Sequence, residues 1–455
     1  MKMRKGEATE LPQEPGETKG VLHHRRLDTW ALAALLFFNV SGGPIGTEGL
    51  VSSVGPLYSI LGFLILPFFW CFPVGLMTAE LSTAISKDGG YVIWVDMAFG
   101  RFAGFMMGWM SWASGVIDNA LYPGMFVAFM QDSLGWNFSP HYKEGIIFMF
   151  NTVMTCTNVV GLEVVGTASI IFCILVLLPV AVLIIACFPS MKVSAWAATK
   201  KHPDWVMWIN LMLWNTSGFD ATSTVGSEVV DPGTTYPKAI LISQFLVVAP
   251  YLLMLLAATA VDQNFGEYEN GTYNAIAIQQ GGYFLGALFT IGTVAGVMGM
   301  YVSDMTCYAY QLSGMAEEGM VPRVLATQLP RFETPIVSIA VCFIFVQVIS
   351  QLPFQEILVC DNFLYAICLL LELASVVKLR MSHPDLERPF RIPLSTLPLA
   401  LLMLIPASFC FFILFTSTAR VLCVAGGIAL IGVIIFFLNS LCKPDETSPE
   451  YMPLL

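Results

Sequence analysis

Charge is what this sequence has least of. Asp, Glu, Lys and Arg make up 12% of its 455 residues, about half the share found in a typical soluble domain. That leaves too little polar surface for a water-soluble enzyme. Basic residues are the scarcer kind: 21 Lys and Arg stand against 32 Asp and Glu, for a net charge of −11. Nucleic acid is removed as a partner, because phosphate binding rests on clustered Lys and Arg. The 11 cysteines include no CxxC pair and read as small buried hydrophobes, not as zinc or redox ligands. HExxH and GxGD are both absent, and the five histidines, at 23, 24, 141, 202 and 383, lie outside the apolar runs. Neither a zinc protease nor an intramembrane aspartyl protease has a basis here. No metal, cofactor or catalytic residue is expected. The first 28 residues hold six Lys and Arg but no apolar core of a cleavable signal peptide, so the first membrane helix is itself the expected insertion signal.

What the chain has in abundance is apolar sequence, 56% of residues, with a mean hydropathy of +0.73. Twelve apolar segments fall at about 29–52, 57–84, 98–131, 144–160, 163–189, 205–230, 236–262, 280–313, 335–352, 355–380, 393–418 and 420–441. Most approach the roughly 20 apolar residues that cross a bilayer as a helix, and no strand-like alternation of comparable length competes. The expected fold class is an all-α membrane protein of about 12 transmembrane helices. It comprises a polar tail over 1–28, a membrane domain over 29–441 and a second tail over 442–455. Placing both termini in the cytoplasm puts 16 of the 21 Lys and Arg inside and leaves Lys143, Lys192, Lys200, Lys201 and Arg420 outside, as the positive-inside rule requires. The sequon Asn270-Gly271-Thr272 then lies in an outer loop.

Two segments carry the wrong residues for a helix. The first contains Ser41-Gly42-Gly43-Pro44-Ile45-Gly46-Thr47-Glu48 and the sixth Asn215-Thr216-Ser217-Gly218-Phe219-Asp220. A helix interior penalises Gly by about 1 kcal/mol and Pro by about 3 kcal/mol, so both helices are expected to break. Their Ser-Gly pairs are 176 residues and five segments apart, as they would be in two related repeats, about 29–189 and 205–380, followed by two extra helices over 393–441. Paired interrupted helices of this kind mark a transporter's substrate site. Gly100, Gly104 and Gly108 in the third segment are a packing stripe. Beyond them Ser111, Ser114, Gly115, Asp118 and Tyr122 share one helix face.

Acids inside a membrane are costly and by default functional. Asp118, Asp220, Glu48 and Asp304 fall inside apolar segments with no deep Lys or Arg to answer them. Such acids must either be protonated or hold a cation, so a small cationic substrate is expected. Glu48, Asp118 and Asp304 are the candidates for carrying a coupled proton. Pro44 removes one backbone donor that could hold a substrate carboxylate, which favours a cation without one. Tyr122, Trp214, Phe219 and Tyr365 supply rings for methylenes and ammonium groups. Gly42, Gly43, Ser217 and Gly218 supply the broken backbone. Glu80, Glu228, Asp231 and Glu372 sit nearer the cytoplasmic ends and read as interface or gating residues.

Several motifs carry a family likeness: Gly42-Gly43-Pro44, Gly89-Gly90-Tyr91-Val92-Ile93-Trp94-Val95, the stretch from Ser114 to Pro123, and Gly226-Ser227-Glu228-Val229-Val230-Asp231-Pro232. Others are Gln311-Leu312-Ser313-Gly314-Met315-Ala316-Glu317, Asn362-Phe363-Leu364-Tyr365 and Arg388-Pro389-Phe390-Arg391-Ile392-Pro393. Over residues 28–440 the chain resembles the amino acid/polyamine/organocation superfamily and, within it, the polyamine uptake transporters of plants and trypanosomatid protozoa. The resemblance implies a leucine-transporter-type fold of 5+5 inverted repeats plus two C-terminal helices. It also implies proton-coupled uptake of putrescine, spermidine or related amines across the plasma membrane, with no required protein partner. The family's acidic substrate positions fall on Asp118, Asp220 and Asp304. The sixth-segment break departs from plant members, which carry bulkier residues before the acid, so cationic amino acids stay open as substrates. A nutrient sensor that binds without transporting also stays open, although the short polar tail after Leu441 offers no signalling domain. Some relatives couple protons through a fifth-segment lysine; residues 164–189 contain none, which points to a carboxylate as proton carrier.

Overall fold

A computed structural model describes residues 26–44, 46–134, 138–352 and 354–442; the expected tails therefore lie almost wholly outside the described residues. Each of the twelve expected segments contains helix, and among the described residues the only strand-like pairings are isolated bridges. The first segment is two helices, α1 (Thr29–Val40) and α2 (Glu48–Val54), and the second is α3 (Pro56–Phe69) running into α4 (Cys71–Ala84). A short α5 (Tyr91–Phe99) precedes α6 (Arg101–Asn119) and α7 (Leu121–Leu134), which divide the third segment. α8 (Pro140–Val160), α9 (Leu162–Cys187) and α10 (Trp205–Trp214) follow, then α11 (Pro232–Val261) and α12 (Thr272–Glu317). The chain continues through α13 (Ile336–Ile349), α14 (Phe354–Ser382), α15 (Thr396–Thr416) and α16 (Ala419–Cys442). Among the described residues, seven helical stretches are long and apolar enough to cross a bilayer. The first and sixth segments fall short because their helices stop at the breaks, and α13 has 14 residues.

Two expectations are corrected. Residues between the second and third segments, expected as loop, contain α5, bounded by Gly90 and Gly100, whose φ of 41° and 89° stop the helix at either end. The second half of the sixth segment, expected as a continuing helix, is two 3₁₀ turns, Ala221–Thr224 and Gly226–Glu228. The cause is local: Thr224 Oγ1 donates to the Ala221 carbonyl at 2.8 Å, and short hydroxyl side chains that bond nearby backbone compete with an α-helix.

The breaks themselves follow from side-chain chemistry. At the end of α10, Asn215 Nδ2, Thr216 Oγ1 and Ser217 Oγ donate to the carbonyls of Leu211, Met212 and Leu213 at 2.8, 2.6 and 2.6 Å. They add side-chain bonds to carbonyls of the last turn, of which Leu211 and Leu213 also accept the N–H groups of Asn215 and Thr216 at 3.0 Å, and such local bonding competes with continuation of the helix. Gly218 then turns the chain with φ 101°, and a Cβ there would lie 2.2 Å from the Asn39 carbonyl oxygen. The two breaks therefore touch, one glycine wide. At the first break Ser41 Oγ accepts the Gly43 N–H at 3.0 Å, and Gly43 and Gly46 take φ of 95° and 81°.

Around them α12 lies along α9 and α1, α1 packs on α11, and α14 lies between α6 and α15. Two of the three stripe glycines work as packing, whereas Gly100 has open space around it and caps α6 with φ 89°. A Cβ on Gly104 would strike Asp96 of α5, and one on Gly108 would strike Met315 of α12. Glu80, fully buried, receives Arg380 Nε at 2.8 Å, Arg380 Nη2 at 2.5 Å and the Ile392 N–H at 2.9 Å, with Arg388 at 3.4 Å. That cluster ties α4 to the segment after α14, a structural role.

The loop between α4 and α5 is pinned to the 3₁₀ turns. Asp88 accepts the Ser227 N–H at 3.0 Å and its hydroxyl at 2.7 Å, and the Gly89 N–H reaches the Thr224 carbonyl at 3.0 Å. Burial pushes the Asp88 carboxyl up to about 7, with the Ser227 bonds opposing and Glu228 and Glu317 adding to the rise. A folded-state value raised from 3.8 contributes stability that is whole at low pH and is lost as pH rises toward 7. Asp88→Asn keeps an acceptor for Ser227 and removes the charge. Melting temperatures of the purified protein in detergent should show the variant gaining on wild type between about pH 5 and about pH 7, at no more than roughly 1.4 kcal/mol per pH unit. A constant difference across that range would contradict the assignment.

Candidate functional site

The two breaks open onto a cavity of about 40 Å³ at the centre of the bundle. α6 brings Asp118, α7 brings Tyr122, the end of α10 brings Trp214, and α14 brings Asp361, Asn362 and Tyr365. The broken backbone contributes Gly42, Ser217 and Gly218, and α12 contributes Met300 and Tyr308. Among the described residues no Lys or Arg lines it.

Each acid is held by neutral donors. Asp118 receives Trp214 Nε1 at 3.0 Å on one oxygen and the Tyr122 hydroxyl at 2.6 Å on the other. Tyr122 also lies 3.0 Å from Asp304, which is buried behind it. The Ser114 hydroxyl donates to Asp361 at 2.5 Å. Asp220 receives the Tyr365 hydroxyl at 2.7 Å, and the same oxygen of Tyr365 accepts the Gly218 N–H at 3.3 Å. Glu372, about two turns beyond Tyr365 along α14 and buried, faces Asp220 carboxyl to carboxyl. Tyr308 is held against α6 by Gly115, where a Cβ would lie 1.9 Å from the ring.

The sequence expectations divide accordingly. Asp118, Tyr122, Trp214, Tyr365, Gly42, Ser217 and Gly218 meet at the cavity wall. Asp304 and Asp220 stand one hydrogen bond behind it, through Tyr122 and Tyr365. Phe219 is 1% exposed and packs in the core, and Gly43 faces Val176 of α9. Glu48 does not join them: it borders a separate cavity beside Tyr273 and Asn274, because the left-handed turns at Gly43 and Gly46 rotate α2 away from the face that an unbroken helix would present. Asp361 was missed by sequence reasoning. It is a carboxylate in an apolar segment four residues before Tyr365, and the rule that selected Asp118 selects it too. Asn39, Tyr251, Met300, Tyr308 and Asn362 also line the cavity and carry no such signal.

The family model for amino acid permeases matches residues 27–438. The chain belongs to this family, within the amino acid/polyamine/organocation superfamily. It is similar to Polyamine transporter PUT1 of Oryza sativa subsp. japonica, 37% identical over 89% of this chain and 76% of the relative. Polyamine transporter RMV1 of Arabidopsis thaliana is 35% identical over 90% and 84%. Asc-type amino acid transporter 1 of Mus musculus is 25% identical over 88% and 79%. This permease is a multi-pass membrane protein and a transporter, not an enzyme.

The contact between the breaks can be tested directly. Gly218→Ala forces a side chain into a left-handed φ and against the Asn39 carbonyl, a strain of roughly 1–3 kcal/mol. Fluorescence-detected size exclusion after heating should show a lower melting temperature than wild type; an unchanged one would mean that the breaks are not in contact.

Proposed function

We propose that this permease imports polyamines such as putrescine or spermidine, by proton symport across the plasma membrane with both termini in the cytoplasm. The observation that carries the reading is a cavity walled by two carboxylates, Asp118 and Asp361, with Asp304 and Asp220 behind them and no basic side chain in the lining. Ammonium groups are the complement of that charge, and Trp214, Tyr308 and Tyr365 offer ring faces to methylenes and cations. The names of the plant relatives point the same way.

The nearest rival is a permease for arginine, lysine or other amino acids, as the mouse relative's name suggests. A substrate carboxylate would need free N–H groups at a helix break. Here the Gly43 N–H is taken by Ser41 Oγ at 3.0 Å and the Gly46 N–H by Glu48 at 3.1 Å, and Pro44 has none. The first break thus offers a carboxylate little and leaves the acids to an amine.

A count of hydrogens supports the proton-coupled reading. Tyr122 has one hydroxyl proton and two carboxylate neighbours, Asp118 at 2.6 Å and Asp304 at 3.0 Å. It donates to Asp118, so its contact with Asp304 needs a proton from Asp304. A substrate ammonium arriving at Asp118 adds positive charge next to that shared proton, which links occupancy of the two. The cavity, at about 40 Å³, admits water but not an alkylamine chain, so substrate entry requires the helices to part, as alternating access between the two repeats provides.

Radiolabelled spermidine uptake by proteoliposomes tests the reading. Unlabelled spermidine and putrescine should compete, arginine should not, and an inward proton gradient should raise the rate with sodium absent. Competition by arginine but not by spermidine would move the assignment to amino acids. Asp118→Asn and Asp220→Asn should each reduce uptake to background while reconstituting as well as wild type; full transport by either would remove that residue from the site.

A further inference from the structure

Glu48 heads α2 and borders a cavity of about 170 Å³ with Phe129, Tyr273, Asn274, Phe289 and Thr290. The carboxylate is 3% exposed, accepts the Gly46 N–H at 3.1 Å and is also bonded by the backbone of Gly271 and Tyr273, and among the described residues no Lys or Arg lines the space. The Asn274 and Thr290 side-chain oxygens lie 3.3 Å apart on the same wall, and Tyr273, its hydroxyl bonded to Thr47 at 2.8 Å, presents an aromatic ring. One acid, neutral oxygen acceptors and three rings are the donor set for an alkylammonium head with its first methylenes.

This space is separate from the central cavity. A third space of only about 10 Å³, with Gly42, Pro44, Val176, Phe289 and Thr293 among its lining residues, is scarcely enough for a single water. It shares Gly42 with the central cavity and Phe289 and Thr293 with the Glu48 cavity. The two acids, Asp118 and Glu48, thus line separate cavities that have no lining residue in common.

We propose that the Glu48 cavity is a second binding site for an alkylammonium, distinct from the central one and coupled to uptake through it. The inference rests on the amine reading of the substrate given above. Glu48 then has a role that its absence from the central cavity left open.

Equilibrium binding of radiolabelled spermidine to the full chain in nanodiscs separates the possibilities. Wild type should bind two molecules per chain, Glu48→Gln one, and Asp118→Asn one, the last retained at the Glu48 cavity. Loss of a charge-assisted contact should also raise the spermidine KM for uptake by Glu48→Gln about tenfold. Ala275→Trp places a large side chain at an exposed position on the cavity's rim and should act as Glu48→Gln does, without touching the carboxylate. Wild-type stoichiometry and KM in both variants, or a single site in wild type, overturns the second site while leaving the transport reading intact. A wild type that neither binds nor transports spermidine overturns both.

Discussion

Uncompensated negative charge in a low-dielectric interior is the constraint on which the rest of this molecule depends. Asp118, Asp220, Asp304, Asp361 and Glu372 are all at least largely buried and are held by hydroxyls, an indole and each other, not by cations. The chain can pair a buried acid with Arg when stability is the purpose, as Glu80 with Arg380 and Arg388 shows. At the centre it does not. Breaking a buried charge pair by removing one partner is costly, so a centre built with one partner missing is poised to bind that partner when it arrives. On the proposed reading, the substrate's charge supplies the missing partner.

The broken helices make such a centre possible. Carbonyls in the last turn of α10 are bonded by the side chains of Asn215, Thr216 and Ser217, and the crossing at Gly218 brings that break onto Asn39 at the end of α1. Tyr365 joins the same break to α14 by bonding both Gly218 and Asp220. A change at Asp220 is therefore felt through one phenol by the cavity wall and by a helix break. At the other end of the sixth segment, the 3₁₀ turns are tied to the α4–α5 loop through Asp88 and Ser227. The segment that contacts the site is thus anchored at a titratable residue outside the membrane helices.

Much of this was legible in the sequence, and the limits have physical reasons. Glycine and proline inside apolar runs located both breaks, because their backbone costs do not depend on tertiary context. The helix-face arithmetic that placed Asp118 with Tyr122 held, since α6 runs nearly to Tyr122. Glu48 was selected with the other acids as an intramembrane charge but lines a separate cavity, because left-handed turns at Gly43 and Gly46 reset the direction of the chain before α2. Asp304 and Asp220 were found but not their depth: which acid lines a cavity and which stands behind a tyrosine depends on neighbours far away in sequence. The packing of Met300 and Tyr308 against the cavity is of that kind, and no local pattern announces it. Asp361 differs, being an acid in an apolar segment that the rule for intramembrane charge already covered.

The account's central claim is that the bound species answers charge and not merely shape. Ligand-induced stabilisation of the purified protein measures this without transport. Putrescine and the uncharged diol of the same chain length should be compared by thermal melting at equal concentration near neutral pH. Putrescine is expected to raise the melting temperature and the diol to leave it unchanged. Equal stabilisation by the two would contradict the claim, because a site that cannot tell an ammonium from a hydroxyl has no use for its unpaired acids.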